Sequence, residues 1–465
     1  MTHDLVILGA GPAGASAAIT AAELGLRAVV LDEQQNAGGQ VWRAPSGVET
    51  PGDDGARLRD RLRVSGVTRA FGRRVWLAER GFTVSALGPD GAEDYRAPAL
   101  IVAAGAHERH VPVPGWTLPG MIGLAAATIL LKSQHILPGR RVVVAGVGPL
   151  LLLVAAEILR GGGEVAAVID ANRRRDWFAT PLALLSRPDL AGRGAGWVTR
   201  LLRAGVPILS RHALRRIEGT DGVTRVFAGP IDADGTQIAG PERAFDCDAL
   251  CMGYGLQSST EVTRLLGARH AYQARGWAPV TTAEQLTSVR GLYACGDGAG
   301  VQGVAAAPLR GQIAAIAAAR DMGRLSASEA ENRLVVLQAR LGRAARFGEA
   351  MARLATPPPN LVPSIPAETI VCRCERLSRA DLDAAITQGA VTVNDLKSAT
   401  RCGMGPCGGR MCEYAAAGLI GARTGRTPEQ IGQSTARPPL RPVALQALAG
   451  SFDYDSLPMI EPAPL

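Results

Sequence analysis

Cysteines spaced to hold a metal cluster lie near the C-terminus. Five of the chain's eight cysteines fall between positions 372 and 412, in VCRCERLS (371–378) and TRCGMGPCGGRMC (400–412). Cys372 and Cys374 put two thiolates on one tight stretch of backbone. Cys407 and Cys412, a helix-length segment away, can close a square around a [2Fe–2S] rhomb. Gly403, Gly405, Pro406, Gly408 and Gly409 let the main chain wrap the inorganic core and aim N–H groups at its sulfides. Structural zinc is the competing occupant, although such sites more often use a wider Cys-x2-to-4-Cys hairpin. Arg373, Arg376, Lys397, Arg401 and Arg410 sit among the thiolates and suit a site of net negative charge; singly, each is also an ordinary solvated cation. Whether Cys402 replaces Cys412 as the fourth ligand stays open at this point.

The N-terminus carries a second chemistry. The apolar strand DLVILGA runs into Gly9-x-Gly11-x-x-Gly14 and an alanine-rich helix, which is the arrangement that cradles a dinucleotide pyrophosphate at a helix start. Pro12 and Ala13 lie inside that turn. Asp32 ends the next strand, RAVVLD, at the distance that binds adenosine ribose hydroxyls, with Glu33 beside it and Gly39 and Gln40 following in EQQNAGGQVWR. A second such unit spans RVVVAGVGPLLLLVAAEILRGGGEVAAVID, with Gly146 and Gly148 at the turn and Asp170 ending its second strand. Leu151 stands where the third glycine belongs. NAD, another adenine nucleotide such as ATP, and a domain kept only for its shape are all open readings of that unit.

Two further segments resemble those of two-dinucleotide-domain flavoproteins. GLYACGDGAG (291–300) is similar to the late FAD motif, which implies that Gly296 and Asp297 meet the ribityl or pyrophosphate end of FAD. ALIVAAGAHER (99–109), with Ala104 and Gly105, resembles the crossover leaving the FAD domain. The cysteine-rich segment resembles the [2Fe–2S] domain of bacterioferritin-associated ferredoxin, also found at the end of anaerobic glycerol-3-phosphate dehydrogenases. That resemblance implies Cys372, Cys374, Cys407 and Cys412 as ligands, with Cys402 spare.

Taken in order, with GGQVWR, GWTLPGM (115–121) and CGMGPCGGRMC, the motifs resemble the α-type subunits of hetero-oligomeric bacterial amine and amino-acid dehydrogenases. That family includes opine oxidase, D-hydroxyproline and L-proline dehydrogenases and hydrogen cyanide synthase. The resemblance implies an electron-transfer subunit, a flavoprotein β subunit that oxidises the substrate C–N bond, a small ferredoxin-like γ subunit, an FMN at a subunit interface and a respiratory electron acceptor. No catalytic residue is assigned to this chain. A self-sufficient NAD(P)H-dependent FAD oxidoreductase and an iron–sulfur sensing or assembly module are the alternatives.

The expected fold is α/β, with two Rossmann-like domains of the pyridine-nucleotide-disulfide-reductase type and a small helical [2Fe–2S] domain. Residues 1–115 and 272–322 form the FAD-binding domain and its return segment, and 116–271 the second dinucleotide-binding domain. Residues 323–366 form a helical arm and proline-rich linker, 367–424 the cluster domain and 425–465 an extended tail. No redox cysteine pair follows Asp32. Cys247 and Cys251 flank a short apolar strand and read as buried structural thiols. His107 and His110 follow the crossover and receive no role. The formal charge of +8 is almost wholly arginine and scattered, so no nucleic-acid stripe is expected. The opening strand leaves no secretory leader and no transmembrane span is visible, so the expected location is cytoplasmic or peripheral to the inner membrane.

Overall fold

A computed structural model describes residues 3–44, 53–178, 187–273 and 276–449. Two five-stranded parallel sheets organise the first two thirds of it. The first has the order Leu292–Ala294, Ala99–Val102, Leu5–Leu8, Ala28–Asp32, Thr68–Phe71, so one sheet is assembled from both ends of the 1–322 region. Strand Leu5–Leu8 lies near its centre and is buried at every position, as a continuous apolar run in a parallel sheet should be. Helices Pro12–Glu23 and Ala307–Asp321 pack against each other over it. Both are alanine-rich, and small side chains permit that close approach.

The second sheet has the order Ile208–Ser210, Glu164–Asp170, Arg141–Gly146, Ala249–Gly253, Met121–Gly123. Leu151, which replaces the third glycine, is fully buried between helix Pro149–Arg160 and its neighbours. Cys247 and Cys251 are buried, and loss of water raises both thiols, Cys247 to about 12, so they stay protonated as structural side chains.

Within the region read as a helical arm, a helix runs over Ala327–Leu354, started by the Ser326 side chain, which accepts from the Glu329 N–H. The proline-rich link after it is no loose tether. Leu361, Val362 and Ile365 are buried in one apolar core that runs from the second dinucleotide domain into the cysteine-bearing domain, where it includes Val371, Leu382, Leu396 and Ile420. Trp116 clamps the junction: its indole N–H donates to Ile370 O at 2.5 Å, and the Arg373 guanidinium lies 5.3 Å from its ring. The cysteine-bearing domain is built from helices Arg379–Thr387, Val393–Thr400 and Glu413–Thr424, the first two opened by reciprocal capping boxes at Ser378 and Thr392.

The segment after 425, expected as an extended tail, is tied back onto the chain as far as it is described. The Ser434 hydroxyl donates to Glu413, the Gln433 side-chain amide donates to Thr260 Oγ1, and Leu440 N donates to Trp76 O. Residues 450–465 lie outside the described residues. Among the described residues no helix is long and apolar enough to cross a membrane.

Candidate functional site

Every expected FAD contact except Gly14 lines a single groove of about 540 Å3 at the C-terminal edge of the first sheet. Gly14 sits beneath it, where a Cβ would fall 1.8 Å from Gly9 O; it lets the helix approach the strand. Gly9 has φ +96, and a Cβ there would meet the Ala103 carbonyl oxygen at 2.4 Å. Across the groove Gly11 faces Gly39, backbone to backbone, which leaves the phosphate turn uncovered by side chains. Gly296 (φ +65) packs its bare Cα toward Ala13, and Gly298 toward Gly105, so the three separate sequence motifs meet at one place.

The acidic groups there are held by main chain. Asp32 accepts from Ala10 N at 2.6 Å and Gln34 N at 2.8 Å. Burial raises its carboxyl, and those two N–H groups work against that rise. Asp297 Oδ1 accepts from Gln302 N and Gly303 N, both at 2.9 Å, so the carboxylate shapes the loop as well as facing the groove. Sequence reasoning missed Arg310, which is buried and donates to the carbonyls of Gly296, Ala299 and Gly300 and to Gln285 Oε1. One of two arginines in an alanine-rich helix carries no spacing that announces this role. The uncovered glycine turn at a helix start, the acidic side chain ending the second strand and the elongated groove fit a dinucleotide such as FAD.

The five clustered cysteines converge at the other end of the chain. The sulfurs of Cys372, Cys402 and Cys412 lie within 4.8 Å of one another and all three are buried. Cys374 and Cys407 are less buried and interact with each other. Cys402, expected to be spare, is therefore inside the group rather than apart from it, because the left-handed turn at Arg401 (φ +68) directs it inward. Cys372 is held far below the ordinary thiol range by hydrogen bonds from Cys402 and Cys412, whose own thiols are pushed up by it. Soft thiolate donors at this density fit an iron–sulfur cluster or another thiophilic metal. Gly405 is necessary there: a Cβ would lie 2.1 Å from the Cys374 Cβ.

The two sites adjoin. Arg410 and Met411, from the cysteine loop, line the same groove as Gly11 and Asp297. Arg410 donates to Cys407 O at 2.7 Å and pairs with Glu261 at 2.7 Å. His107, given no role from sequence, bridges the region: Nε2 lies 2.8 Å from Gln257 Nε2 and Nδ1 3.3 Å from Ser259 Oγ. Burial lowers it to about 4, so it is neutral near neutral pH.

Residues 3–323 match the pyridine nucleotide-disulphide oxidoreductase family, and residues 368–451 match the sarcosine oxidase A3 domain. The chain belongs to the pyridine nucleotide-disulphide oxidoreductase family. It is thus an FAD-dependent oxidoreductase. The A-type subunit of opine oxidase from Rhizobium meliloti (strain 1021) is 33% identical over 96% of this chain and 98% of its own length. Hydrogen cyanide synthase subunit HcnB of Pseudomonas protegens is 32% identical over 97% of this chain and 98% of its own. The resemblance to this family read from the sequence is borne out by them. Among solved structures, L-proline dehydrogenase from P. horikoshii has the same fold, with a TM-score of 0.70 at 19% identity over 96% of this chain and 79% of its own.

Proposed function

We propose that the chain is the electron-transfer subunit of a hetero-oligomeric dehydrogenase that oxidises the C–N bond of an amino acid or opine, proline- or hydroxyproline-like, on a partner β flavoprotein. The chain passes the electrons between FAD and a [2Fe–2S] centre toward a respiratory acceptor. The observation that carries this reading is the shared wall: the loop bearing Cys407 and Cys412 contributes Arg410 and Met411 to the FAD groove. FAD supplies two-electron redox chemistry when bound, and this chain's residues position it and exclude water. The named relatives are themselves subunits, which supports a partner for this chain. The proposed assembly also includes an interfacial FMN and a small γ subunit.

Cys372, Cys374, Cys407 and Cys412 are the proposed ligands. Cys372 and Cys374 would supply two thiolates from the first cysteine-bearing segment, and Cys407 and Cys412 two from the second. Helix ends support Cys412 over Cys402. Cys412 caps the start of helix Glu413–Thr424, where the dipole favours an anion, whereas Cys402 follows the end of helix Val393–Thr400, where it does not. Iron and labile sulfide analysis of the purified chain tests the centre: two irons and two sulfides per chain are expected, and zinc in their place contradicts the reading.

A further inference from the structure

The FAD groove shares Glu108, Leu256 and Val304 with a second cavity of about 340 Å3. Its walls are mainly apolar, from Leu150 and Leu153 of the second dinucleotide domain, Trp197, and Phe347 and Met351 of the long helix. The Arg109 side chain, at its edge, directs its guanidinium over the Tyr414 ring at 4.7 Å. Glu108 is the one carboxyl lining the cavity among the described residues, wedged against Gly123 and Gly253 and accepting from Ala125 N at 2.8 Å. Burial raises Glu108 to about 7, against the pull of the Ala125, Ala126 and Leu124 N–H groups, so a large fraction carries a proton at neutral pH.

The cavity reaches Val147 and Pro149 of the second phosphate turn, yet the handles for a nucleotide on that turn are taken by the chain itself. Opposite Gly11 in the FAD half stands another glycine, Gly39; opposite Gly148 stands Ala355, whose Cβ would lie 2.9 Å from a Cβ at Gly148. Ala355 follows the C-terminal, electronegative end of helix Ala327–Leu354, which opposes a pyrophosphate. Asn172 Nδ2 fixes that end by donating to Leu354 O at 2.7 Å. Asp170 is buried, with one carboxylate oxygen taken by Asn172 N at 3.0 Å and the other by the Trp177 indole N–H at 3.1 Å.

We infer that this cavity binds the ring of a lipophilic quinone beside the flavin, with Glu108 as its proton donor and without any bound nucleotide. A flat, uncharged two-electron acceptor matches apolar walls that would strip water from a charged one at high cost. A bound flavin in its anionic reduced form would supply two electrons and one proton, and Glu108 would give the second proton. The quinone becomes a hydroquinone, the flavin is left oxidised, and Glu108 regains its proton from solvent. The inference names the acceptor class of the proposed relay and rests on that reading for the source of electrons.

Decylubiquinone and the FAD-loaded full chain test it. Quinone binding should quench tryptophan fluorescence in a manner lost in Trp197→Phe, and Ala352→Trp, which fills the cavity from the long helix, should weaken binding by about tenfold or more. NAD+ and ATP should leave the titration unmoved. Glu108→Gln should bind quinone normally, yet its dithionite-reduced flavin should be reoxidised by quinone about a hundredfold more slowly. That rate decides the matter if Ala352→Trp does not fold. Absence of quinone binding, equal binding by a folded Ala352→Trp, displacement by NAD+, or an unchanged Glu108→Gln rate would overturn the inference. If flavin and cluster are still reduced from the partner while quinone does not bind, this inference fails and the relay reading stands.

Discussion

The Arg410 guanidinium reaches Glu261 at 2.7 Å and the Cys407 carbonyl at 2.7 Å, so one side chain ties the cysteine loop to the wall of the groove that Gly11 and Asp297 line. Both partners of the ion pair are largely buried, and Arg441 approaches the same carboxylate at 3.8 Å. Burial alone would raise Glu261, but the neighbouring guanidinium charges, Arg410 foremost and Arg264 behind it, overcome it and hold the carboxyl below its usual range.

Arg410→Ala should therefore leave a buried carboxylate poorly paired and cost roughly 3 kcal/mol of stability, read as a lower urea midpoint. Because the cysteine loop would loosen from the groove, electron transfer between flavin and cluster should slow as well, measured by rapid mixing. Arg410→Lys should restore most of the stability through Glu261.

Much of the site was legible because its motifs are local. A strand, three glycines and a helix occupy consecutive positions from Leu5 to Glu23, and their geometry follows from that order alone. The cysteine group was legible as a group but not in detail, since the inward turn of Cys402 depends on the left-handed backbone at Arg401. Arg310, Glu261 and Glu108 were illegible for a different reason. Each gains its meaning from partners on distant segments, and an isolated charge in a sequence looks the same on a wet surface as in a buried network. The closing of the second nucleotide turn by Ala355 was hidden likewise, some two hundred residues downstream of Gly148.

Flavin retention should depend on the loop that Asp297 and Arg310 shape together. Asp297→Ala removes the acceptor of the Gln302 and Gly303 N–H groups, and Arg310→Met leaves three carbonyls, two of them in fully buried bonds, without their charged donor. Each is expected to cost roughly 3 kcal/mol and to lower FAD content after gel filtration. Full FAD occupancy in both variants would remove Asp297 and Arg310 from the flavin account.

Serine replacement of single cysteines should separate ligands from the bystander. Cys372, Cys374, Cys407 and Cys412 variants are expected to lose iron or show a strongly altered visible spectrum, whereas Cys402→Ser should keep two irons. Loss of iron from Cys402→Ser with retention in Cys412→Ser would exchange the two assignments.

Acid should weaken the fold through three histidines that burial lowers, an effect partly offset by Glu108 and Asp170, whose carboxyls are raised by burial to about 7 and about 6 and take up protons in the folded state over the same window. His110 and His270 are both lowered from 6.5 to about 4 by burial, and His107 likewise. A folded state that resists protonation keeps this contribution above about pH 6.5 and loses it as pH falls toward 4, where the unfolded chain binds the protons first. The melting temperature should fall by several degrees across that window. His110→Gln, which removes the imidazole packed on Trp116, should flatten the dependence.

The relay account is tested most directly by anaerobic addition of a cyclic or secondary amino acid to this chain alone and to its complex with the co-expressed flavoprotein partner, followed by optical and electron paramagnetic resonance spectra. The account predicts that flavin and [2Fe–2S] centre are reduced in the complex and stay oxidised in the isolated chain. Reduction of the isolated, homogeneous chain by the same substrate would contradict it.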